Sequence, residues 1–264
     1  MSREQSAGSH GSSHRLPFEP RLAVASLSGE ADAEWAAAAA DLAGAAFLGG
    51  IALDEPSREA ARAVVGRDRR EFLPEAPLDF VSDQLTALDG VPIRPGVNVR
   101  ATTVEPIAEA AAICGDHGAI LEINAHCRQP ELRAVGCGEA LLADSDRLST
   151  YVEAAAAEAP AVSVKVRAEV PGVDLPSVAR RIEAAGAEVI HVDAMDSESV
   201  IQEVAAATDL FVIANNEVRD RESVQAYFDY GADAVSVGRP SREPTGPVMG
   251  RVADAVAAWE APVQ

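Results

Sequence analysis

The chain has 264 residues, 48% of them hydrophobic, which is enough to bury the core of one large domain. Asp and Glu number 42 against 22 Lys and Arg, so the formal net charge is −20. Such a charge repels phosphate backbones and argues against DNA as a partner and against non-specific nucleic-acid binding. No apolar run approaches the roughly 18 residues of a membrane span, so we expect no membrane partner.

An acidic, alanine-rich composition with a single lysine is typical of proteins kept soluble at very high salt, where charges are strongly screened. We therefore expect a halophilic source, the alternative being acidic drift in a GC-rich genome. Three cysteines do not favour a disulfide framework. The polar N-terminus has no apolar signal core, which predicts a cytoplasmic protein with a mobile tail over 1–18 and one domain over 19–262.

Eight short β-branched runs follow the tail, and alanine-rich segments with helical spacing separate them. The predicted strands are 21–27, 46–53, 96–101, 119–124, 161–166, 188–193, 210–215 and 233–238. The predicted helices are 32–43, 55–66, 103–116, 138–158, 174–185, 197–207, 220–229 and 247–259. The charged stretch 67–79, which contains two prolines, is interpreted as a loop insertion.

This alternation predicts βαβ units around a parallel sheet. Gly118, Gly186 and Gly231 precede strands, at positions where glycine commonly ends a helix. Eight units in about 240 residues match the size of a single-domain (β/α)8 TIM barrel. A doubly wound open sheet is the alternative, although "SLSGEAD" after the first strand is not the G-x-G-x-x-G of a dinucleotide site.

Barrel enzymes place their sites at the carboxyl ends of the strands, so the residues there are the functional candidates. Strand four is followed by Asn124 and Cys127 in "EINAHC". In the fifth strand, "SVKVR", alternation places the valines on one face and Lys165 and Arg167 on the other. We expect the valines to pack against helices, which leaves the polar side chains inside the barrel.

Lys165 is the only lysine in the chain. An inward ammonium requires an anionic or electron-rich partner, because an unpaired buried charge is costly. Arginine does not replace lysine where a compact point charge is needed. The alternative is that Lys165 is a leftover on an exposed edge.

Strand seven ends in "IANNE", where Asn tolerates a left-handed backbone, and strand eight ends in "VGRP" at the start of the last helix. Many barrels hold a phosphate between these two strands with backbone N–H groups and a helix N-terminus. The candidate phosphate residues are Asn215, Asn216, Glu217, Gly238 and Arg239.

Several motifs together resemble the tRNA-dihydrouridine synthase family. "EINAHC" followed by "GCGEALL" is similar to that family's Asn…Cys loop, and "VKVR", a strand-six His, "IANNE" and "GADAVSVGR" follow in the family's order. The resemblance covers most of residues 21–240. The resemblance implies a TIM barrel that binds FMN at its mouth.

Carried over position by position, the resemblance implies a set of FMN-binding residues. Lys165 corresponds to the lysine at the N1/O2 edge of the flavin ring, and Asn98 replaces a glutamine that contacts the ring. The implied cofactor-binding residues are Ser26, Leu27, Ser28, Asn98, Lys165, His191, Asn215, Asn216, Glu217, Gly238 and Arg239.

The resemblance also implies the reduction of the C5–C6 double bond of uracil. Reduced flavin would deliver hydride, NADPH would recharge the flavin, and Cys127 would donate the proton as the catalytic acid. Asn124 would lie near the substrate base, and Arg167 is a candidate for contacting an anionic substrate. The substrate would be tRNA or a small pyrimidine.

The chain departs from the family pattern at three places. The family loop is Gly-Cys-Pro, whereas here it is His126-Cys127-Arg128, and a neighbouring imidazole favours a more ionised thiol. Asn98 is one methylene shorter than the family's glutamine. The chain ends about 25 residues after Arg239, so we expect no C-terminal helical tRNA-binding domain.

Two other functions stay open from the residues. One is a dihydroorotate-dehydrogenase-like or other small-molecule flavin reductase. Another is a flavin-binding barrel without catalysis. A metal site from His126, Cys127 and Cys137 does not match common zinc spacings, so no metal is expected.

Overall fold

A computed structural model describes residues 18–261 as a closed barrel of eight parallel strands, in which each strand pairs with the next and β1 pairs with β8. The predicted (β/α)8 TIM barrel is confirmed. The strands are β1 Leu22–Val24, β2 Ala45–Ala52, β3 Arg94–Arg100, β4 Ile120–Asn124, β5 Val162–Arg167, β6 Val189–Asp193, β7 Phe211–Asn215 and β8 Ala234–Val237.

Eleven α-helices and one 3-10 turn connect or follow the strands of the described chain. The helices are α1 Ala33–Ala39, α2 Glu55–Val65, α3 Pro77–Thr86, α4 Glu105–Asp116, α5 Pro130–Ala134, α6 Glu139–Ala143, α7 Ser145–Ala156, α8 Leu175–Ala184, α9 Val200–Ala207, α10 Arg221–Asp229 and α11 Pro247–Glu260. The 3-10 turn is Arg239–Arg242. No helix of residues 18–261 is long and apolar enough to cross a membrane.

The crossover from β2 to β3 differs from the prediction. The predicted helix 55–66 exists as α2, but α2 packs against α5, whereas α3 packs against α4 in the wall of the barrel. The predicted loop 67–79 is therefore wrong at its end, because Pro77 begins α3. Proline suits the first turn of a helix. Val81 and Leu85 are buried on the inner face of α3.

The predicted helix 138–158 is two helices. Asp144 separates α6 from α7, and its side chain accepts a hydrogen bond from the Arg147 backbone N–H, which caps α7. The predicted tail over 1–18 lies outside the described residues except for Phe18. That side chain is buried, and its ring meets Phe211 edge-on at 5.4 Å.

The interior of the barrel changes from apolar to polar along its axis. The apolar layer at the amino-terminal end is formed by Ala23, Ala45, Phe47, Ile120, Ala161, Val189, Phe211, Ile213 and Ala234. Above it, the buried polar side chains include Asn98, Glu122, Ser163, His191 and Ser236. Phe47 and His191 meet at this boundary, with ring centroids 5.3 Å apart.

Candidate functional site

Two cavities lie at opposite ends of the barrel. The one we call the mouth cavity, about 570 Å³, lies at the carboxyl ends of the strands, where barrel enzymes bind their ligands. Its lining is Ala25, Ser26, Leu27, His126, Lys165, Asp193, Asn215, Asn216, Glu217, Val218, Arg219, Ser236, Gly238, Arg239 and Pro240. A base cavity of about 1190 Å³ lies at the amino-terminal ends.

Lys165 lies at the wall of the mouth cavity and is 2% exposed. Its ammonium makes no hydrogen bond or ion pair within residues 18–261. Burial lowers its pKa from the ordinary 10.5, whereas the charges of Glu122 and Asp193 act in the opposite direction. The prediction of an inward lysine is correct, and the exposed-edge alternative is wrong.

The turn after β7 forms one rim of the mouth cavity. Asn216 and Glu217 have positive φ angles of 105° and 51°, which agrees with the predicted left-handed turn. The Asn216 side chain donates to the Met195 carbonyl at 2.6 Å, and the Tyr227 hydroxyl donates to the Asn216 carbonyl at 2.9 Å. These two bonds hold a backbone conformation that non-glycine residues rarely adopt.

Backbone N–H groups at the rim of the mouth cavity are available to bind a ligand. Within residues 18–261, the backbone N–H groups of Asn216, Glu217 and Val218, and those of Gly238 and Arg239, donate no hydrogen bond. Arg239 is exposed and has no salt bridge in the described chain. Free amides beside an unpaired guanidinium make a suitable site for a phosphate.

Three of the predicted cofactor residues do not line the mouth cavity. The Ser28 hydroxyl accepts a 2.7 Å hydrogen bond from Arg100, which also pairs with the buried Glu71 at 2.6 Å. Asn98 and His191 are fully buried in the polar interior. The other eight, including Ser26 and Leu27, lie at the cavity wall.

The loop after β4 is held by a side-chain amide. The Asn124 Oδ1 accepts hydrogen bonds from the backbone N–H groups of Cys127 at 3.1 Å and His126 at 3.4 Å. His126 lines the mouth cavity, whereas Cys127 does not. Burial, together with the charges of Lys165 and Arg100, keeps the pKa of His126 well below 6.5, so the imidazole is neutral at pH 7.

Cys127 packs against a small apolar cluster above the barrel. This cap cluster consists of Ala60, Val64, Leu132 and Cys137, from α2, α5 and the loop that follows α5. Arg67 ties the two helices together by hydrogen bonds to Gln129 and Glu131. The cap cluster therefore shields one side of the Cys127 side chain from water.

Arg167 is buried but does not line the mouth cavity, and its side chain is already paired. Its guanidinium bonds to Glu139, which also meets Arg133 at 3.3 Å. Sequence reasoning missed Glu122, Ser236 and the Arg100 partner Glu71. Strand alternation could have found the first two, because Glu122 precedes Asn124 by two residues and Ser236 precedes Gly238 by two.

The chain matches a known protein family from β3 to α11. The model of the family described as "Dihydrouridine synthase (Dus)" matches residues 96–249, more than half of the chain. The chain belongs to the dihydrouridine synthase family. It is accordingly a flavin-dependent oxidoreductase with FMN as its cofactor.

This dihydrouridine synthase family member is similar in sequence to one curated protein and in fold to several solved structures, in each case at low identity. An uncharacterised protein of Methanocaldococcus jannaschii is 24% identical over 84% of this chain and 89% of its own. Dihydroorotate dehydrogenase (DHODH) of Eimeria tenella has a TM-score of 0.66 at 17% identity, covering 90% of this chain and 81% of that one. FabK of Thermotoga maritima, as the M276A mutant, has a TM-score of 0.58 at 16% identity, and the match covers 86% of this chain but 63% of FabK.

The residues at the mouth fit FMN. The phosphate has Arg239 and rim amides that donate no hydrogen bond within residues 18–261, and the ring has a cavity with one buried ammonium that has no direct partner among those residues. A buried cation of this kind is stabilised by the negative charge that a flavin gains on reduction. The residues of the family member that would hold FMN are therefore Lys165, Arg239 and the turn Asn216–Val218.

Proposed function

We propose that this protein reduces the C5–C6 double bond of a uracil base, with NADPH as the source of electrons. The observation that supports it is Lys165, a buried ammonium without a hydrogen-bonding partner in residues 18–261, at the wall of the mouth cavity of a dihydrouridine synthase family member. Bound FMN would supply the hydride for this reduction.

The protein's own residues would bind the cofactor, and they hold the loop that carries Cys127 in place. Arg239 and the rim amides would hold the phosphate, and Lys165 would stabilise negative charge at the base of the mouth cavity. Asn124 holds the backbone of the loop that carries Cys127 through the 3.1 Å bond to the Cys127 N–H. A loop fixed in this way keeps a proton donor in one place.

Cys127 would donate the proton to C5 of the base. Its contact with the cap cluster excludes water from one side of the thiol. His126, which is neutral and lies at the cavity wall, would contact the substrate rather than ionise the thiol. Arg167 is bound to Glu139, so a role with an anionic substrate requires that pair to open.

A small free substrate is the second candidate. The cap cluster and the ion pair between Arg67, which follows α2, and Glu131 of α5 narrow the approach from the Cys127 side. A free pyrimidine or another small activated alkene needs less access than a base within folded tRNA.

The test uses purified protein. We expect a flavin absorbance spectrum that bleaches with NADPH and recovers on adding a uracil-containing substrate, supplied in separate samples as tRNA, uridine or free uracil. Recovery with tRNA alone supports a tRNA substrate, and recovery with the free compounds supports the second candidate. No recovery with any of them would exclude uracil reduction. The Cys127→Ala variant should bleach normally and recover at least about a hundredfold more slowly.

A further inference from the structure

Glu122 lies at the centre of the polar interior and has no role in the function proposed above. It is fully buried and does not line the mouth cavity, so no ligand there reaches it. Its carboxylate accepts hydrogen bonds from Asn98 Nδ2 at 2.7 Å and Ser163 Oγ at 3.2 Å, and it lies 2.7 Å from His191 Nδ1.

The carboxylate of Glu122 is ionised. Burial by itself raises its pKa, but the hydrogen bond from His191, the charge of Lys165 and the hydrogen bond from Asn98 lower the pKa below the ordinary 4.5. An ionised carboxylate only accepts hydrogen bonds. Every polar group around Glu122 must therefore turn a donor towards it, and this requirement passes along the contacts on both sides.

On one side of Glu122, the donor-to-acceptor direction of the hydrogen bonds is fixed as far as the Cys127 loop. Because Asn98 uses its Nδ2 for Glu122, its Oδ1 accepts, and it does so from Asn124 Nδ2 at 2.8 Å. The Asn124 Oδ1 is then the atom that accepts from the Cys127 backbone N–H. Each amide in this branch has one permitted orientation.

On the other side of Glu122, the direction of the hydrogen bonds is fixed as far as the wall of the mouth cavity. His191 must carry its proton on Nδ1, so Nε2 accepts from Ser236 Oγ at 2.7 Å. Ser236 Oγ then accepts from Asn215 Nδ2 at 2.8 Å, and the same Nδ2 also donates to the Ser236 backbone carbonyl at 3.1 Å. The Asn215 Oδ1 remains without a hydrogen bond among residues 18–261, at the wall of the mouth cavity.

We propose that Glu122 is a positioning residue that fixes the hydrogen-bond direction around the mouth cavity, through His191 to the Ser236 hydroxyl and through Asn98 to the Cys127 loop. The consequence for FMN rests on the proposed function, because the Ser236 hydroxyl lies at the cavity wall and directs its hydrogen to His191 only in this arrangement. The direction of the bonds inside the protein does not depend on FMN.

Replacing Glu122 by Gln should reverse the His191 branch. Glutamine has the same shape, but one of its two terminal atoms is a donor and cannot face a second N–H. A neutral imidazole moves its proton to the other nitrogen more easily than two buried amides rotate together. His191 should therefore become protonated on Nε2, and the Ser236 hydroxyl, which then accepts from His191, should turn its hydrogen towards the mouth cavity.

The test is nitrogen-15 NMR of the histidine rings at pH 7. The chain has five histidines, and the His191 signal is identified by its loss in His191→Gln. We expect the Nδ1–H tautomer in the wild type and in Glu122→Asp, and the Nε2–H tautomer in Glu122→Gln. A wild-type ring protonated on Nε2 or on both nitrogens, or an unchanged tautomer in Glu122→Gln, would overturn the proposal.

FMN titration is the second readout. Glu122→Gln should bind FMN about tenfold more weakly, the effect of one mismatched buried hydrogen bond. Ser163→Ala removes a bond to Glu122 that leads to neither branch, and it should bind FMN like the wild type. Unchanged FMN binding in Glu122→Gln would refute the role at the cavity.

Ser236→Ala keeps the test valid if Glu122→Gln does not fold. Without the Ser236 hydroxyl, His191 still donates to Glu122 and should keep the Nδ1–H tautomer, and Asn215 keeps its bond to the backbone carbonyl of residue 236. A changed tautomer in this variant contradicts the proposal. Failure of the wild type to bind FMN would refute the proposed function, and the tautomer results would still decide the role of Glu122.

Discussion

The two ends of the barrel interior are built for different purposes. The base cavity is about twice the size of the mouth cavity, yet the barrel layer beneath it is apolar and closely packed around Phe47 and Ile120. The mouth has a buried ammonium and, among the residues that the structure describes, backbone amides without acceptors and an Arg239 without a salt bridge. Cavity volume alone therefore does not locate a site, because a ligand is held by convergent polar groups.

The same contrast separates stability from function. Apolar side chains at the base gain free energy from burial with no ligand present. Lys165 at the mouth loses hydration without gaining a direct partner in the described part of the chain, which costs free energy until a ligand binds. Substitutions at the mouth should therefore change FMN binding, and substitutions at the base should change stability.

Lys165→Met should abolish most FMN binding while stabilising the protein without ligand. Loss of a buried charge partner costs about 3–5 kcal/mol, so FMN affinity should fall at least a hundredfold. Removal of the unpaired ammonium should raise the free energy of unfolding of the ligand-free protein. Equilibrium dialysis and urea denaturation measure the two effects. Wild-type flavin content in this variant would contradict the role given to Lys165.

Arg239→Ala should weaken FMN binding by about tenfold, because a hydrogen bond to a charged group contributes about 1.5–3 kcal/mol. Riboflavin, which has no phosphate, should bind equally to the variant and the wild type. Arg242→Ala is the matched control from the same 3-10 turn, since Arg242 is paired with Glu30 at 2.7 Å. Equal loss in both arginine variants would exclude a specific phosphate contact.

Acidification should destabilise the mouth through its two histidines. Burial and nearby cations lower the pKa values of His126 and His191 below 6.5, so the unfolded chain binds more protons than the folded one just below that pH. Stability is complete above pH 6.5 and is lost as the pH falls towards the folded pKa values. For the fully buried His191, each unit of depression corresponds to about 1.4 kcal/mol.

Thermal unfolding between pH 7.5 and 5.5 measures this loss. His126→Asn should flatten the pH dependence, because it removes one of the two groups. A melting temperature that does not change over this range would show that both histidines keep their ordinary pKa values.

Ile120→Val should affect stability alone. Deletion of one buried methylene at the base costs about 0.5–1.5 kcal/mol. FMN affinity should stay at the wild-type value, because Ile120 belongs to the apolar layer and not to the mouth cavity. A combined loss of stability and FMN affinity would show that the two ends of the barrel are coupled.

Local pattern was sufficient for the strands and for the inward lysine. Each predicted strand overlaps an observed one, because β-branched runs between glycine-terminated helices specify parallel strands. It was not sufficient for α2 and α3. Both segments have helical character, and which one covers the barrel wall depends on contacts with α4 and α5 that are distant in sequence.

The sequence by itself determined the barrel, the order of its strands and the position of Lys165, because strand alternation is a local property with a period of two residues. Only the tertiary structure decided that Asn98 and His191 are buried and that Glu122 joins them. Closure of the barrel brings β3, β4, β6 and β8 together around one point. Which side chains share a hydrogen bond there depends on the register between strands, and no short segment encodes that register.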